Sequence, residues 1–125
     1  MKYAIAFDPF MPGCVVKTSG KMTGAEFIAM AESLLAQGQL KPDGNVIFDY
    51  RDLDFSRVSI DDLEAIRRFH KENEDRIGSG KSAMVVRPGF LKKWYALWSQ
   101  GQKVQTKNRV MVFESLENAT QWIMT

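Results

Sequence analysis

Three short apolar runs, Val46-Ile47-Phe48, Ala83-Met84-Val85-Val86 and Val110-Met111-Val112-Phe113, are each followed by a stretch with helical spacing, and nothing else in the chain limits its fold so strongly. Unbroken runs of this length between turn signals suit strands buried on both faces. Strands that alternate with helices pair in parallel through right-handed crossovers, which leaves the helices packed over the sheet. The first run ends at Asp49, ahead of Tyr50 and Arg51, and Arg87-Pro88-Gly89 breaks the second.

Upstream, Tyr3, Ile5 and Phe7 alternate with Ala4 and Ala6, and Cys14-Val15-Val16-Lys17 follows the turn-forming Pro9-Phe10-Met11-Pro12-Gly13. This pattern predicts an opening β-hairpin. Thr23 with Glu26 three residues on has the form of a capping box, and Phe27, Ala31, Leu34 and Leu35 recur on one face, so the first helix is expected over 23–37 with Gly38 as its stop. Ser59 with Asp62 marks a second N-cap, and Ile60, Leu63, Ile66, Phe69 and Ile77 supply the buried stripe of a second helix ending at Gly78. A third helix runs from Phe90 to about Gln100. Ser115 opens a last one that carries Leu116, Ala119, Trp122 and Ile123. The expected architecture is α/β: an opening hairpin, then strand–helix repeats, giving a mixed sheet with about four helices packed on it.

At 125 residues, 45% of them hydrophobic, the chain fits one domain over 1–125. Cys14 is the only cysteine and His70 the only histidine, which removes an intrachain disulfide and the usual clustered metal ligands, so no metal or other cofactor is expected. Asp8 and Pro9 interrupt the apolar opening and no later run reaches membrane-spanning length, pointing to a cytoplasmic protein without integral membrane insertion. The net charge of +2 conceals an asymmetry. Between Arg76 and Phe113 lie eight basic residues (Arg76, Lys81, Arg87, Lys92, Lys93, Lys103, Lys107 and Arg109) and no acidic one. Such a run could present a cationic face to an anionic partner, or its members could be scattered around the fold.

Gly78-Ser79-Gly80-Lys81-Ser82 reproduces the tail of a phosphate-binding P-loop, but Asp75 stands where the first glycine belongs. The helix also precedes the loop and the strand follows it, the reverse of what cradles phosphate. His70 lies among Arg67, Lys71 and Glu74 and reads as a solvated surface residue, leaving no base for a nucleophilic triad. Asp49, Arg51 and Arg87 fall at expected C-terminal strand ends, where open α/β sheets bind ligands. The favoured reading is structural: Asp49 caps loop amides and Arg51 or Arg87 pairs with it. Phe90, Leu91, Trp94, Leu97 and Trp98 share one helical face opposite Lys92 and Lys93. Core packing accounts for that spacing, while two tryptophans a turn apart would also suit a subunit interface, a ligand pocket or an interfacial helix on an anionic membrane. Nothing requires the aromatic side chains to be exposed among the basic ones, so no nucleic-acid partner is expected.

The element order, together with Val46-Ile47-Phe48-Asp49-Tyr50-Arg51-Asp52 and the closing segment from Arg109 to Ile123, resembles the SpoIIAA-like family, related to the STAS domains of sulfate transporters and anti-sigma-factor antagonists. That resemblance implies a bacterial protein without catalysis that works by binding a protein partner, and relatives of the neighbouring CRAL-TRIO fold carry lipids. In the antagonists a serine at the start of the helix after the third strand is phosphorylated within Asp-Ser-x-Gly. The counterpart here is Ser59, with Val58 and Asp61 in place of the aspartate and glycine. Asp61 and Asp62 would repel an added phosphate, and Ser59 fits a plain N-cap. The leading expectation is therefore a non-enzymatic interaction or regulatory domain that binds a protein partner and self-associates as a dimer. Its contact residues would be drawn from Asp49, Arg51, Ser59, Arg87, Phe90, Lys92, Lys93, Trp94 and Trp98. The alternative is a carrier of a small apolar or amphiphilic ligand, its cavity lined by Phe90, Trp94 and Trp98. A nucleotide-handling enzyme built on Lys81 and Ser82 ranks third.

Overall fold

The computed structural model describes residues 1–8, 13–38, 40–98 and 106–125. Five strands form one sheet in the order of the chain: β1 (Lys2–Phe7), β2 (Cys14–Lys21), β3 (Val46–Asp54), β4 (Lys81–Val85) and β5 (Arg109–Phe113). The β1–β2 pair is antiparallel and the other three pairs are parallel, so the hairpin and the crossover repeats are both present. The hairpin turn at 9–12 lies outside the described residues.

The helices are α1 (Gly24–Leu35), α2 (Ile60–Glu72), α3 (Glu74–Ile77), α4 (Leu91–Trp98) and α5 (Leu116–Ile123). Thr23 caps α1 by accepting from the Glu26 N–H, but the box is incomplete, because the Glu26 carboxylate turns to the Met1 amino group at 2.6 Å. Ser59 and Asp62 complete a reciprocal box on α2, with both hydrogen bonds at 3.0 Å. The stripe expected to run unbroken from Ile60 to Ile77 is divided. At Asn73 the side-chain amide bonds back to the Phe69 carbonyl at 2.9 Å and closes α2, so α3 is a separate single turn. Leu63 and Ile66 are fully buried, whereas Ile60 is 51% exposed.

β3 does not end at Asp49. Its pairing with β4 stops at Asp49 opposite Val85, but β2 continues the ladder through Asp52, Leu53 and Asp54. Between Lys17 and Ser19 the register slips, so that Tyr50 and Arg51 together face the single residue Thr18, a β-bulge. The Thr18 hydroxyl donates to the Asp49 carbonyl at 3.0 Å there. Asp49, Tyr50 and Arg51 are therefore interior strand residues, and the bulge brings both Tyr50 and Leu53 into the core.

The period-two alternation of the strands divides the core. Val46 and Tyr50 join Phe27, Met30, Leu34, Ile66 and Trp94 beneath α1, α2 and α4, while Ile47, Ala83 and Val85 pack with Ala119 and Ile123 of α5 on the other face.

The glycine-rich loop is a helix-to-strand turn, with α3 before it and β4 after it. Gly78 has φ of 76°, and a Cβ there would come within 2.3 Å of Asp43 Oδ1, while one on Gly80 would meet the Gly44 carbonyl oxygen at 2.3 Å. Both glycines exist to let two backbone segments touch. Asp43 accepts from the Ser79 N–H at 2.7 Å, and these Ser79 hydrogen bonds hold its carboxyl below the usual carboxylate range. Lys81 is buried as the first residue of β4. Its ammonium donates to the Trp122 carbonyl (2.9 Å) and Thr125 Oγ1 (3.0 Å) and sits 5.3 Å from the Trp122 ring centroid. It clasps α5 to the sheet. Lys81→Met is expected to lower unfolding free energy by about 1.5–3 kcal/mol, the range for hydrogen bonds to a charged group, as read by urea denaturation.

Candidate functional site

Beneath the three helices the core does not close. Alternate residues of β3 (Val46, Phe48 and Tyr50), the inner face of α1 (Phe27, Ala31 and Leu34), Arg67 and His70 of α2, and Trp94 and Trp98 of α4 surround a cavity of about 520 Å³. Such a volume lies within the roughly 300–1,000 Å³ of small-molecule sites. Apolar side chains dominate the wall.

Tyr50 is the centre of an aromatic cluster. It stacks on Phe48 and Trp94, each with ring centroids 5.6 Å away, meets Phe55 edge-on at 6.0 Å and tilts against Phe27 at 6.2 Å. Trp94 passes the contact on to Trp98 at 5.5 Å. These offset and edge-on arrangements complement the ring quadrupoles and fix each ring's orientation. Two polar atoms in the cluster are unsatisfied: among the described residues, the Tyr50 hydroxyl and Trp98 Nε1 are buried and have no hydrogen-bond partner. Burial raises the Tyr50 pKa well above its ordinary value, so its hydroxyl keeps its proton.

Arg67 spans from α2 to α4. Its guanidinium donates to the Trp98 carbonyl, at the end of α4 where carbonyls lack helical partners, and lies 5.8 Å from the Trp98 ring centroid. His70 is not the solvated residue that its charged neighbours suggested. It is half-buried, with Phe27 edge-on at 6.4 Å and Phe69 at 6.2 Å, and burial lowers its pKa from the ordinary 6.5. The imidazole is neutral at pH 7.

Of the residues singled out from the sequence, Trp94 and Trp98 line the cavity. Phe90 sits just beyond it, stacked on Phe55 at 5.9 Å with the Arg87 guanidinium 5.1 Å from its ring centroid. Lys92 and Lys93 are exposed on α4. Asp49 and Arg51 do not line the cavity: Arg51 Nε and Nη2 grip the two Asp49 carboxylate oxygens, each at 2.8 Å, and hold that carboxyl below the usual range. Ser59 serves as the N-cap of α2. Three members of the basic run are already engaged within the fold. Arg76 pairs with Glu32 at 2.8 Å, Lys107 pairs with Asp75 at 2.9 Å, and Lys81 is buried. Lys103 and Gln100 lie outside the described residues. Sequence reasoning passed over Phe27, Tyr50, Arg67 and His70 as parts of a shared wall; the alternation of 46, 48 and 50 opposite the Phe27 face of α1 was the available signal.

No protein-family model matches the chain, and no curated protein does. Among solved structures it is similar to an uncharacterized DUF3478-family protein with a SpoIIAA-like fold from Shewanella loihica PV-4. The identity is 18%, the TM-score is 0.60, and the match covers 98% of this chain and 92% of that one. The fold is SpoIIAA-like. No helix among the described residues is long and apolar enough to cross a membrane.

Two predictions follow from this wall. Removing the partnerless hydroxyl in Tyr50→Phe forfeits no hydrogen bond, so unfolding free energy should hold or rise by about 1 kcal/mol, where a satisfied buried hydroxyl would show a loss. For His70, the depressed folded pKa means that the unfolded chain binds more protons below pH 6.5. The His70 contribution is therefore fully present above that pH and declines as pH falls through it. Thermal melts from pH 7 to pH 5 should show a falling Tm, and His70→Gln should flatten the slope.

Proposed function

We propose that this chain is a non-enzymatic binding domain that takes a small amphiphilic molecule into the cavity between the sheet and α1, α2 and α4. One observation carries the reading: a space of about 520 Å³ walled by aromatic and aliphatic side chains, with Arg67 and His70 among them. Apolar contact with a few placed polar groups is the composition of a recognition site. The SpoIIAA-like fold supplies the frame for it.

A second reading, contact with a protein partner or another copy of the chain, draws support from exposed apolar residues on the border of the same space. Tyr95, Val110 and Met111 are 56%, 50% and 47% exposed, and the last two lie on β5, an edge strand of the sheet. Exposed apolar edge residues are sites where other chains attach.

Native mass spectrometry with the hydrophobic probe N-phenylnaphthylamine tests both readings. A one-to-one adduct is expected, lost in Ala31→Phe, which fills the cavity from α1; a mass of twice the chain would add the self-association. Absence of any adduct on the folded wild-type protein would reject the ligand reading.

A further inference from the structure

The floor of the cavity changes character along the strands, from polar at one end to aromatic at the other. We propose that the ligand's head is an uncharged oxygen-bearing group seated at the amino-terminal end of the parallel strands, against Ser82, Asn108 and Thr106. Its apolar tail points to Tyr50 and Trp94; this rests on the cavity reading above. The register sets the order. Val46, Ser82 and Val110 lie side by side in one row of the floor, and Phe48, Met84 and Val112 form the next. Tyr50 continues β3 beyond that row and stacks on Trp94. In the other direction come Gly80 and Asn108, just ahead of the paired Lys81 and Arg109, with Thr106 bonded to Asn108. The polar end is thus opposite to the strand ends where open α/β sheets usually hold ligands.

The three polar side chains form a directional series of hydrogen bonds. Thr106 Oγ1 donates to Asn108 Oδ1, and Asn108 Nδ2 donates to Ser82 Oγ at 3.3 Å. A serine hydroxyl that accepts still has its own hydrogen to give. Ser82 shares the cavity face of β4 with Met84, as the alternation of strand side chains requires, and retains 8% exposure there. The series therefore ends in a donor at the cavity wall, and a ligand oxygen completes it. Charge separates a neutral oxygen from an anionic one. Among the described residues the charged side chains of the wall are Lys41, Arg67 and Arg76. Arg76 commits both terminal nitrogens to Glu32, and Arg67 is held by the Trp98 carbonyl. Lys41 is exposed, where water and salt screen it. Taking an ion out of water without a partner costs far more than taking a hydroxyl or carbonyl that is hydrogen-bonded. The matching ligand is a neutral single-chain amphiphile.

Calorimetric titration of the full chain with 1-octanol, octanoate and octyltrimethylammonium, beside N-phenylnaphthylamine as the apolar probe, tests the assignment. Octanol should bind at least about tenfold more tightly than either ion. Ser82→Ala should weaken octanol by about two- to tenfold, the range of one neutral hydrogen bond, and leave the probe's affinity little changed. On the wild-type protein, nuclear Overhauser contacts should join the octanol CH₂OH protons to Ser82 and Asn108, and its terminal methyl to the Tyr50 and Trp94 rings. Octanoate binding as tightly as octanol, an unchanged octanol affinity in Ser82→Ala, or the reversed pattern of contacts would each overturn the assignment and leave the cavity in place. Octanol failing to bind a protein that takes the probe would do the same. If the probe itself does not bind, the cavity reading falls and the orientation with it.

Discussion

The stacking of Tyr50 between Phe48 and Trp94 ties the sheet to its helices. One strand residue contacts rings from α1, from its own strand, from the segment after it and from α4, so the position of α4 over the sheet is set by aromatic geometry. Planar side chains of this size prefer offset and edge-on contacts. The open volume beneath the helices sits beside this cluster, and Arg67 of α2 ties the end of α4 to its border.

The two faces of the sheet carry different duties. Under α5 the residues are small and closely matched: Ala83 against Ala119, with Ile47, Val85 and Ile123 around them, and Lys81 acting as a polar clasp. Bidentate Arg51 satisfies the buried Asp49 carboxylate, and each oxygen receives one guanidinium donor. Polar groups here are partnered. On the opposite face the Tyr50 and Trp98 donors are not.

The periodic parts of the fold were legible in the sequence. Apolar runs at 46–48, 83–86 and 110–113 fixed three parallel strands, and the Ser59–Asp62 and Ser115 caps marked helix starts that the structure keeps. The extension of β3 was not legible, because Asp49, Arg51, Asp52 and Asp54 look like a loop until β2 is laid beside them across a bulge. The burial of His70 escaped for a related reason: its sequence neighbours are charged, and the ring that covers it, Phe27, belongs to a helix remote in the chain. Trp94 and Trp98 were recognised as a face that core packing or a pocket could explain. The structure makes them both at once, with Trp94 buried in the core and also on the cavity wall. Local periodicity identifies which residues leave water, but not which of them leave room between themselves.

Placing two indoles side by side, one buried and one carrying an unoccupied N–H, gives the molecule an internal optical gauge. Indole emission shifts in wavelength and yield with the polarity and hydrogen bonding around the ring, and Tyr50 lies close enough to Trp94 to hand its excitation over. Whatever enters or leaves the space between sheet and helices alters the surroundings of the protein's own chromophores, so occupancy can be followed in light without attaching a label.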